Sequence, residues 1–219
     1  MAGRGLLLDF GGVLTSSLYG RMAEFCTGAG LPADAIARAL ATAEGRAVTA
    51  RAEAGLVPQR DFEVMLARQL GLPADGLIAG LMAGLAPRAE AVRLAGRARA
   101  AGKPVGLLSN SWGDGGYDVY TGYDLAAMFD AVVISHLVRL RKPERPIFEL
   151  AAAKLGVEPG ECVFVDDTLT NVVTARAVGM AAVHYTGEPA QLAEVERLLG
   201  LRPGGGVPGQ AAGGGPGAG

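Results

Sequence analysis

The chain has 219 residues, of which 50% are hydrophobic and 19% charged, and its formal net charge at pH 7 is −2. This length and apolar content suffice for one domain of ordinary size with a full core, together with a smaller appended module. The near-neutral charge and the scattered lysines and arginines favour neither nucleic acid nor a membrane surface as a partner. No window approaches the ~18 consecutive apolar residues of a membrane span, and the first residues lack the apolar region of a secretory signal, so we expect a cytoplasmic protein.

Short apolar runs without alternation are typical of strands buried on both faces, as in a parallel sheet. In chain order these runs are LLL (6–8), VGLLS (105–109), AVVIS (131–135), CVFV (162–165) and MAAVHY (180–185). Between them, segments such as 89–102 and 146–156 carry apolar residues at helical spacing and end in glycine. The alternation predicts an α/β fold with a doubly wound, mostly parallel, Rossmann-like sheet.

The interval from about residue 16 to about residue 86 interrupts this alternation. It has no convincing strand pattern and contains four helix-like pieces, at 20–26, 33–48, 59–71 and 74–82. An insert of this kind after the first strand predicts a helical cap (16–86) over a site in the α/β core domain (1–15 and 87–201). The Gly/Pro-rich segment 202–219 offers almost no apolar side chains to bury, so we expect it to be disordered.

Polar side chains stand at the carboxyl ends of the predicted strands, where ligands bind in open α/β sheets. In chain order they are Asp9, then Ser109, Asn110 and Ser111, then Lys142 after a short loop, then Asp166 and Asp167. Each of them alone is most simply a helix cap or a turn former. Because strand ends lie side by side in a sheet, we expect these groups to converge on one site.

Such a set of groups suits the transfer of an anionic group. Carboxylates make a hard oxygen site for Mg²⁺, and the metal neutralises charge on a phosphoryl group. A carboxylate can attack as a nucleophile and form a covalent intermediate, while Lys142 and Ser109 hold the remaining phosphate oxygens. Glycines shortly after Asp9 let backbone N–H groups approach the phosphate, which makes Gly12 a candidate phosphate-binding residue.

Four motifs, DFGGVLT (9–15), LLSNS (107–111), RKPE (141–144) and FVDDTLTNV (164–172), resemble in this order those of the haloacid dehalogenase superfamily. The resemblance covers about residues 5–199, and the order and spacing of all four motifs make it specific. The helical insert is similar to that of members with a small helical cap. SNSWGD and the DD pair are similar to the phosphatase-like N-terminal domain of soluble epoxide hydrolases.

The resemblance implies a role for each of the predicted site residues. Asp9 would be the nucleophile and would form an aspartyl-phosphate. Ser109 would bind the transferring phosphoryl group with Asn110 beside it, and Lys142 would pair with both the nucleophile and the phosphate. These residues are the expected catalytic and phosphate-binding groups.

The expected Mg²⁺ site also follows from the resemblance. Asp167 would ligate the metal together with Asp9 and the backbone carbonyl of Gly11. Asp166 and Asn171 would orient the ligands and their waters without touching the metal. Gly11 departs from the family pattern, because phosphatases of the superfamily usually carry a second Asp there, as the general acid that protonates the leaving alkoxide.

Glycine at position 11 can offer its carbonyl to a metal, but it cannot give a proton. A positioned acid typically contributes about 10²–10⁴-fold to a rate. We therefore expect unactivated alkyl phosphates to be slow substrates, unless the leaving group is a good one or an acid comes from the cap or from the loop that contains Asp114.

These observations predict a Mg²⁺-dependent hydrolase of the phosphatase type that acts on a small phosphorylated metabolite through an aspartyl-phosphate on Asp9. Two alternatives remain open. A metal-independent dehalogenase needs no acid at position 11, because a departing halide is not protonated. A catalytically silent phosphate-binding or regulatory protein would keep the pocket without the acid. No sequence pattern specifies the substrate or the oligomeric state.

Overall fold

The structure is a computed structural model that describes residues 3–202. Its centre is a parallel sheet of five strands: β1 (Gly5–Leu8), β2 (Val105–Ser109), β3 (Ala131–Ile134), β4 (Cys162–Asp166) and β5 (Ala181–His184). The strand order is β3-β2-β1-β4-β5, and all four strand pairs are parallel. The predicted α/β fold with a doubly wound sheet is therefore confirmed.

Eleven α-helices are assigned within residues 3–202. They are α1 (Leu18–Gly28), α2 (Ala35–Ala41), α3 (Ala43–Glu53), α4 (Gln59–Leu70), α5 (Leu77–Met82), α6 (Ala89–Ala100), α7 (Leu125–Met128), α8 (Ser135–Val138), α9 (Arg145–Leu155), α10 (Leu169–Ala177) and α11 (Pro189–Leu199). Helices α1 to α5 follow β1, and the others alternate with or flank the remaining strands. No helix in the described part of the chain combines the length and apolarity that crossing a bilayer requires.

The sheet is buried on both faces because alternate side chains of each strand point to opposite sides. Leu6 and Leu8 join one apolar cluster, which contains residues of α6 and α11. Leu7 joins the other cluster, which contains residues of α9 and α10. All three leucines have no exposed surface. The apolar runs of the sequence are thus the central layer of a three-layer core.

The strand order places a topological switch point beside β1. From β1 the chain adds β2 and β3 toward one edge of the sheet, and later β4 and β5 toward the other edge. Leu8, the last residue of β1, pairs with Val165 of β4. Asp9, which follows β1, and Asp166, the last residue of β4, therefore lie at the ends of adjacent strands. A crevice at such a point is where open α/β sheets bind ligands.

Helices α1 to α5 pack around an apolar cluster of their own, which includes Cys26, Phe62 and Ile78. The two segments that join these helices to the sheet run side by side: Thr15 pairs with Pro87, and Ser16 N donates to Ala86 O at 2.7 Å. Paired linkers and a separate apolar cluster support our proposed division into a core domain and a cap. The predicted disordered segment lies, from residue 203 onward, outside the described residues.

One expected helical piece is divided in the structure. The apolar spacing of 33–48 indicates a single helix, but α2 ends at Ala41 and α3 begins at Ala43. Thr42 between them is extended (φ −66°, ψ 160°), and its Oγ1 accepts a hydrogen bond from Gly45 N at 2.9 Å. A Cβ on Gly45 would lie 2.1 Å from Ala39 O, so the two helices meet too closely for a side chain there.

Candidate active site

Asp9 lies directly after β1 and is 8% exposed. Its Oδ1 accepts a hydrogen bond from Phe10 N at 2.7 Å and lies 2.8 Å from Lys142 Nζ. Its Oδ2 accepts no hydrogen bond from any residue between 3 and 202. One carboxylate oxygen is thus held in place, and the other is available to a ligand.

A tight turn over 10–15 gives the two glycines after Asp9 different environments. Gly12 has φ +76°, and a Cβ there would lie 2.0 Å from Asp167 Oδ2. Gly11 has φ −68° and ψ 130°, which any residue can adopt, and its nearest neighbour would be Leu18 Cβ at 3.9 Å. The turn therefore requires glycine at position 12 but tolerates a side chain at position 11.

Lys142 joins the ends of three strands. Its Nζ lies 2.8 Å from Asp9 Oδ1, 2.6 Å from Asp166 Oδ2 and 3.0 Å from Leu108 O. Burial opposes the charged ammonium, but the attraction of Asp166 and Asp9 outweighs it and raises the pKa of Lys142. All three ammonium protons have protein acceptors, so a phosphate contact, as the sequence predicts for Lys142, would require one of these acceptors to give way.

Three carboxylates meet at this point, because Asp9, Asp166 and Asp167 each offer a ligand atom within 4.8 Å of the others. Three carboxylates beside one ammonium leave an excess of two negative charges. Burial, aided by the neighbouring carboxylates, raises the pKa of Asp9 to about 8 and that of Asp167 to about 6, while Lys142 acts against both rises. A divalent cation with oxygen ligands would remove this repulsion, so the donor set fits Mg²⁺.

The two members of the DD pair have different surroundings. Asp166 has no exposed surface, and its oxygens accept hydrogen bonds from Lys142 Nζ, from Asn171 Nδ2 (3.0 and 3.1 Å) and from Thr168 N at 2.8 Å. Asp167 is half-buried, and its Oδ1 accepts only from Thr168 Oγ1, at 3.2 Å, within residues 3–202. Asp166 is therefore saturated by protein donors, whereas Asp167 retains free oxygen lone pairs for a metal.

The side chain of Asn110 braces the main chain of Lys142. Its Nδ2 donates to Lys142 O and its Oδ1 accepts from Lys142 N, both at 2.9 Å. The sequence places Asn110 among the phosphate-binding residues, but the structure uses both polar atoms of the side chain to position Lys142. A contact between Asn110 and a phosphate would come from its main-chain N–H.

Ser109 has a partner that the sequence did not reveal. The buried hydroxyl of Tyr120 donates to Ser109 Oγ at 2.9 Å. Burial raises the pKa of Tyr120 to about 12, so the phenol stays a neutral donor. Tyr120 lies in a glycine-rich loop with no helix or strand pattern, which is why only the folded loop reveals its contact.

These groups line one side of a cavity of about 310 Å³ between the sheet and the helices that follow β1. Of the predicted site residues, all except Gly12 and Asp166 line this cavity. Apolar side chains also line the cavity, among them those of Leu18, Met22, Leu40, Met82, Trp112 and Val119. Polar residues that the sequence did not assign to the site also line the cavity: Tyr19, Thr49, Glu53, Arg141, Thr168 and Thr170.

Comparison with known proteins shows the family and the fold of the chain. The family model of haloacid dehalogenase-like hydrolases matches residues 4–179. A solved structure of a HAD-family enzyme from Bacteroides thetaiotaomicron, in complex with magnesium and inorganic phosphate, shares the fold with a TM-score of 0.64 and 22% identity. The match covers 84% of this chain and 96% of that chain.

Two curated relatives resemble the sequence. The sesquiterpene phosphatase astK of Aspergillus oryzae is 28% identical over 68% of this chain and 77% of its own length. The bifunctional epoxide hydrolase 2 of Sus scrofa is 31% identical over 44% of this chain, but the match spans only 18% of that enzyme. With a family model that matches most of its length, and with the predicted motifs meeting at one cavity, the chain belongs to the haloacid dehalogenase-like hydrolases.

Proposed function

We propose that this chain is a Mg²⁺-dependent phosphatase that hydrolyses a small phosphate monoester through an aspartyl-phosphate on Asp9, in the cytoplasm. One observation carries the proposal: Lys142 Nζ bridges Asp9 and Asp166 beside the free oxygen of Asp167, in a cavity between the sheet and the helices that follow β1. This arrangement supports a held nucleophile, a cation site and a place for a phosphoryl group within one pocket.

The metal would be held by Asp167, Asp9 and the carbonyl of Gly11. When bound, Mg²⁺ would neutralise charge on the phosphoryl group. Asp166 and Asn171 lie behind these ligands and act by orienting Lys142 and each other. This assignment agrees with the hydrogen bonds in the structure, because protein donors occupy both oxygens of Asp166 but leave an oxygen of Asp167 free.

In the first step, Asp9 Oδ2 attacks phosphorus, the bond from phosphorus to the ester oxygen breaks, and the alcohol leaves. Lys142 favours the ionised form of Asp9 and orients its carboxylate, and Ser109 together with the main-chain N–H of Asn110 binds the phosphoryl oxygens. The N–H of Gly12, which the sequence placed on the phosphate, donates to Ser16 O at 3.3 Å instead. In the second step, water attacks phosphorus, the bond to Asp9 breaks, and inorganic phosphate is released.

The composition of the cavity lining favours a substrate whose alcohol part is largely apolar. Leu18, Met22, Leu40, Met82, Trp112 and Val119 line the cavity, and an apolar alcohol part would pack against such side chains. The resemblance to a sesquiterpene phosphatase points the same way. We propose a hydrophobic phosphate ester as the substrate class.

A dehalogenase could have the same fold, but its reaction would not explain the cluster of Asp9, Asp166 and Asp167. A reaction without a metal would gain nothing from three carboxylates within 4.8 Å of one another. We therefore assign this cluster to cation binding and the cavity to a phosphate ester.

A substrate screen tests the proposal. Purified protein is assayed for phosphate release from an aryl phosphate, a terpenyl monophosphate and a hexose phosphate, with Mg²⁺ and with a chelator. We expect Mg²⁺-dependent release, with a higher kcat/KM for the terpenyl ester than for the hexose ester. Chloride release from a haloacid in the presence of chelator would favour the dehalogenase. Binding of inorganic phosphate without turnover of any ester would favour a silent binding protein.

A further inference from the structure

The cavity contains one carboxyl group that the proposed mechanism does not use. Among the described residues that line it, the carboxylates are Asp9, Asp167 and Glu53. Glu53 is the last residue of α3 and enters the cavity from the side opposite the sheet. Asp114, the other source of an acid that the sequence leaves open, lines a different cavity, of about 560 Å³.

The surroundings of Glu53 differ from those of a surface carboxylate. Its side chain is 12% exposed, and its Oε2 accepts from Arg141 Nε at 2.7 Å and lies 2.6 Å from Arg141 Nη2. Both contacts from Arg141 end on Oε2, so they leave Oε1 able to carry a proton. Burial raises the pKa of Glu53, although Arg141, Lys142 and Asn110 act against the rise.

We propose that Glu53 is the general acid that replaces the one missing at Gly11. The inference rests on the proposed phosphatase function and deepens it. Glu53 lines the same cavity as the nucleophile and stands on the wall where the alcohol part of the ester would lie. An acid on α3 meets the leaving oxygen from the substrate side, so the turn after Asp9 needs no acid of its own.

The proton balance closes over the two steps. As the bond from Asp9 Oδ2 to phosphorus forms and the ester bond breaks, the Oε1 proton of Glu53 passes to the leaving oxygen and gives a neutral alcohol. Glu53 is then a carboxylate that Arg141 stabilises. In the second step it takes a proton from the attacking water, phosphate leaves Asp9, and both carboxyl groups return to their starting states.

Leaving-group dependence tests this role. Wild type and Glu53→Gln are assayed with Mg²⁺ on an aryl phosphate with a good leaving group and on an alkyl phosphate of similar size. We expect Glu53→Gln to lower kcat/KM for the alkyl ester by about 10²-fold or more, and to change it less than about threefold for the aryl ester, whose oxygen departs without a proton. Glu44→Gln makes the same chemical change on an exposed part of α3 and should alter neither rate.

A rescue variant adds a second readout. Gly11→Asp places an acid beside Asp9 at a position whose backbone accepts a side chain. In the Glu53→Gln background it should restore much of the alkyl rate and leave the aryl rate unchanged.

Equal losses on both esters in Glu53→Gln would show that the ion pair with Arg141 only joins α3 to the loop before α9, and would overturn the inference while leaving the phosphatase intact. If Glu53→Gln does not fold, the wild type still decides: an alkyl rate about 10²-fold or more below the aryl rate at saturating Mg²⁺ would exclude a working acid. Absence of aryl phosphatase activity in the wild type would overturn the proposed function, and this inference with it.

Discussion

The two glycines after Asp9 serve different purposes. Gly12 is in the left-handed region and touches Asp167, so its missing side chain allows the turn to reach the carboxylate cluster. Gly11 has ordinary backbone angles and open space around its Cα. The pair can be recognised in the sequence, but the sequence does not say which of the two the backbone requires.

We expect Gly12→Ala to destabilise the protein by at least about 1–2 kcal/mol, the cost of a left-handed residue with a side chain. The contact with Asp167 adds to this cost. Gly11→Ala, the matched control, should be neutral or stabilising by about 0.4–1 kcal/mol. Urea unfolding of both variants measures the free energies, and equal effects would show that the turn does not discriminate between the two positions.

The DD pair is the second feature at this scale. Asp166 is committed to Lys142 and Asn171, and Asp167 is the freer carboxylate. Stability and metal affinity should therefore respond to different members of the pair.

Asp166→Asn should lower stability by about 3 kcal/mol, because the buried Lys142 loses a charged partner. Asp167→Asn removes a charge that burial and Asp166 disfavour, so the metal-free protein should be no less stable. Instead it should lose most of the stabilisation by Mg²⁺, which for one site is about 2.7 kcal/mol at 100 times Kd. Thermal unfolding with and without Mg²⁺ separates the two effects, and the reverse pattern would exchange our assignments.

At the scale of elements, all five strands were predictable because each is a short apolar run buried on both faces. Helices α6 and α9 were predictable from apolar spacing and the glycines that follow them. The break at Thr42 was not, because it depends on how closely α2 and α3 approach each other in space. Apolar periodicity continues across this break, and only a hydroxyl with an N–H partner three residues later marks it.

Thr42→Ala should cost about 1 kcal/mol, the usual loss for an N-cap hydroxyl. Thr42→Ser keeps the oxygen that accepts from Gly45 N and should cost much less. The midpoints of urea unfolding report the difference. Two equal losses would mean that the methyl group of Thr42, and not its hydroxyl, stabilises the start of α3.

At the scale of the whole molecule, the site exists because the strand order brings the ends of β1, β2 and β4 together and the α1–α5 helices close over them. The four motifs predicted which residues converge, since parallel strands end at one edge. They did not predict a role for Tyr120, Glu53 or Arg141, because neither helical spacing nor the sequence of a loop reveals which side chains reach the site. The cavity itself is a property of the assembled fold.

The initial rate of aryl phosphate hydrolysis by Asp9→Asn tests most directly whether Asp9 is a nucleophile toward phosphorus. The amide keeps the shape of the side chain but is a far poorer nucleophile. At saturating Mg²⁺ and with an unchanged circular dichroism spectrum, we predict that activity falls below detection. An Asp9→Asn rate within tenfold of wild type would contradict that role.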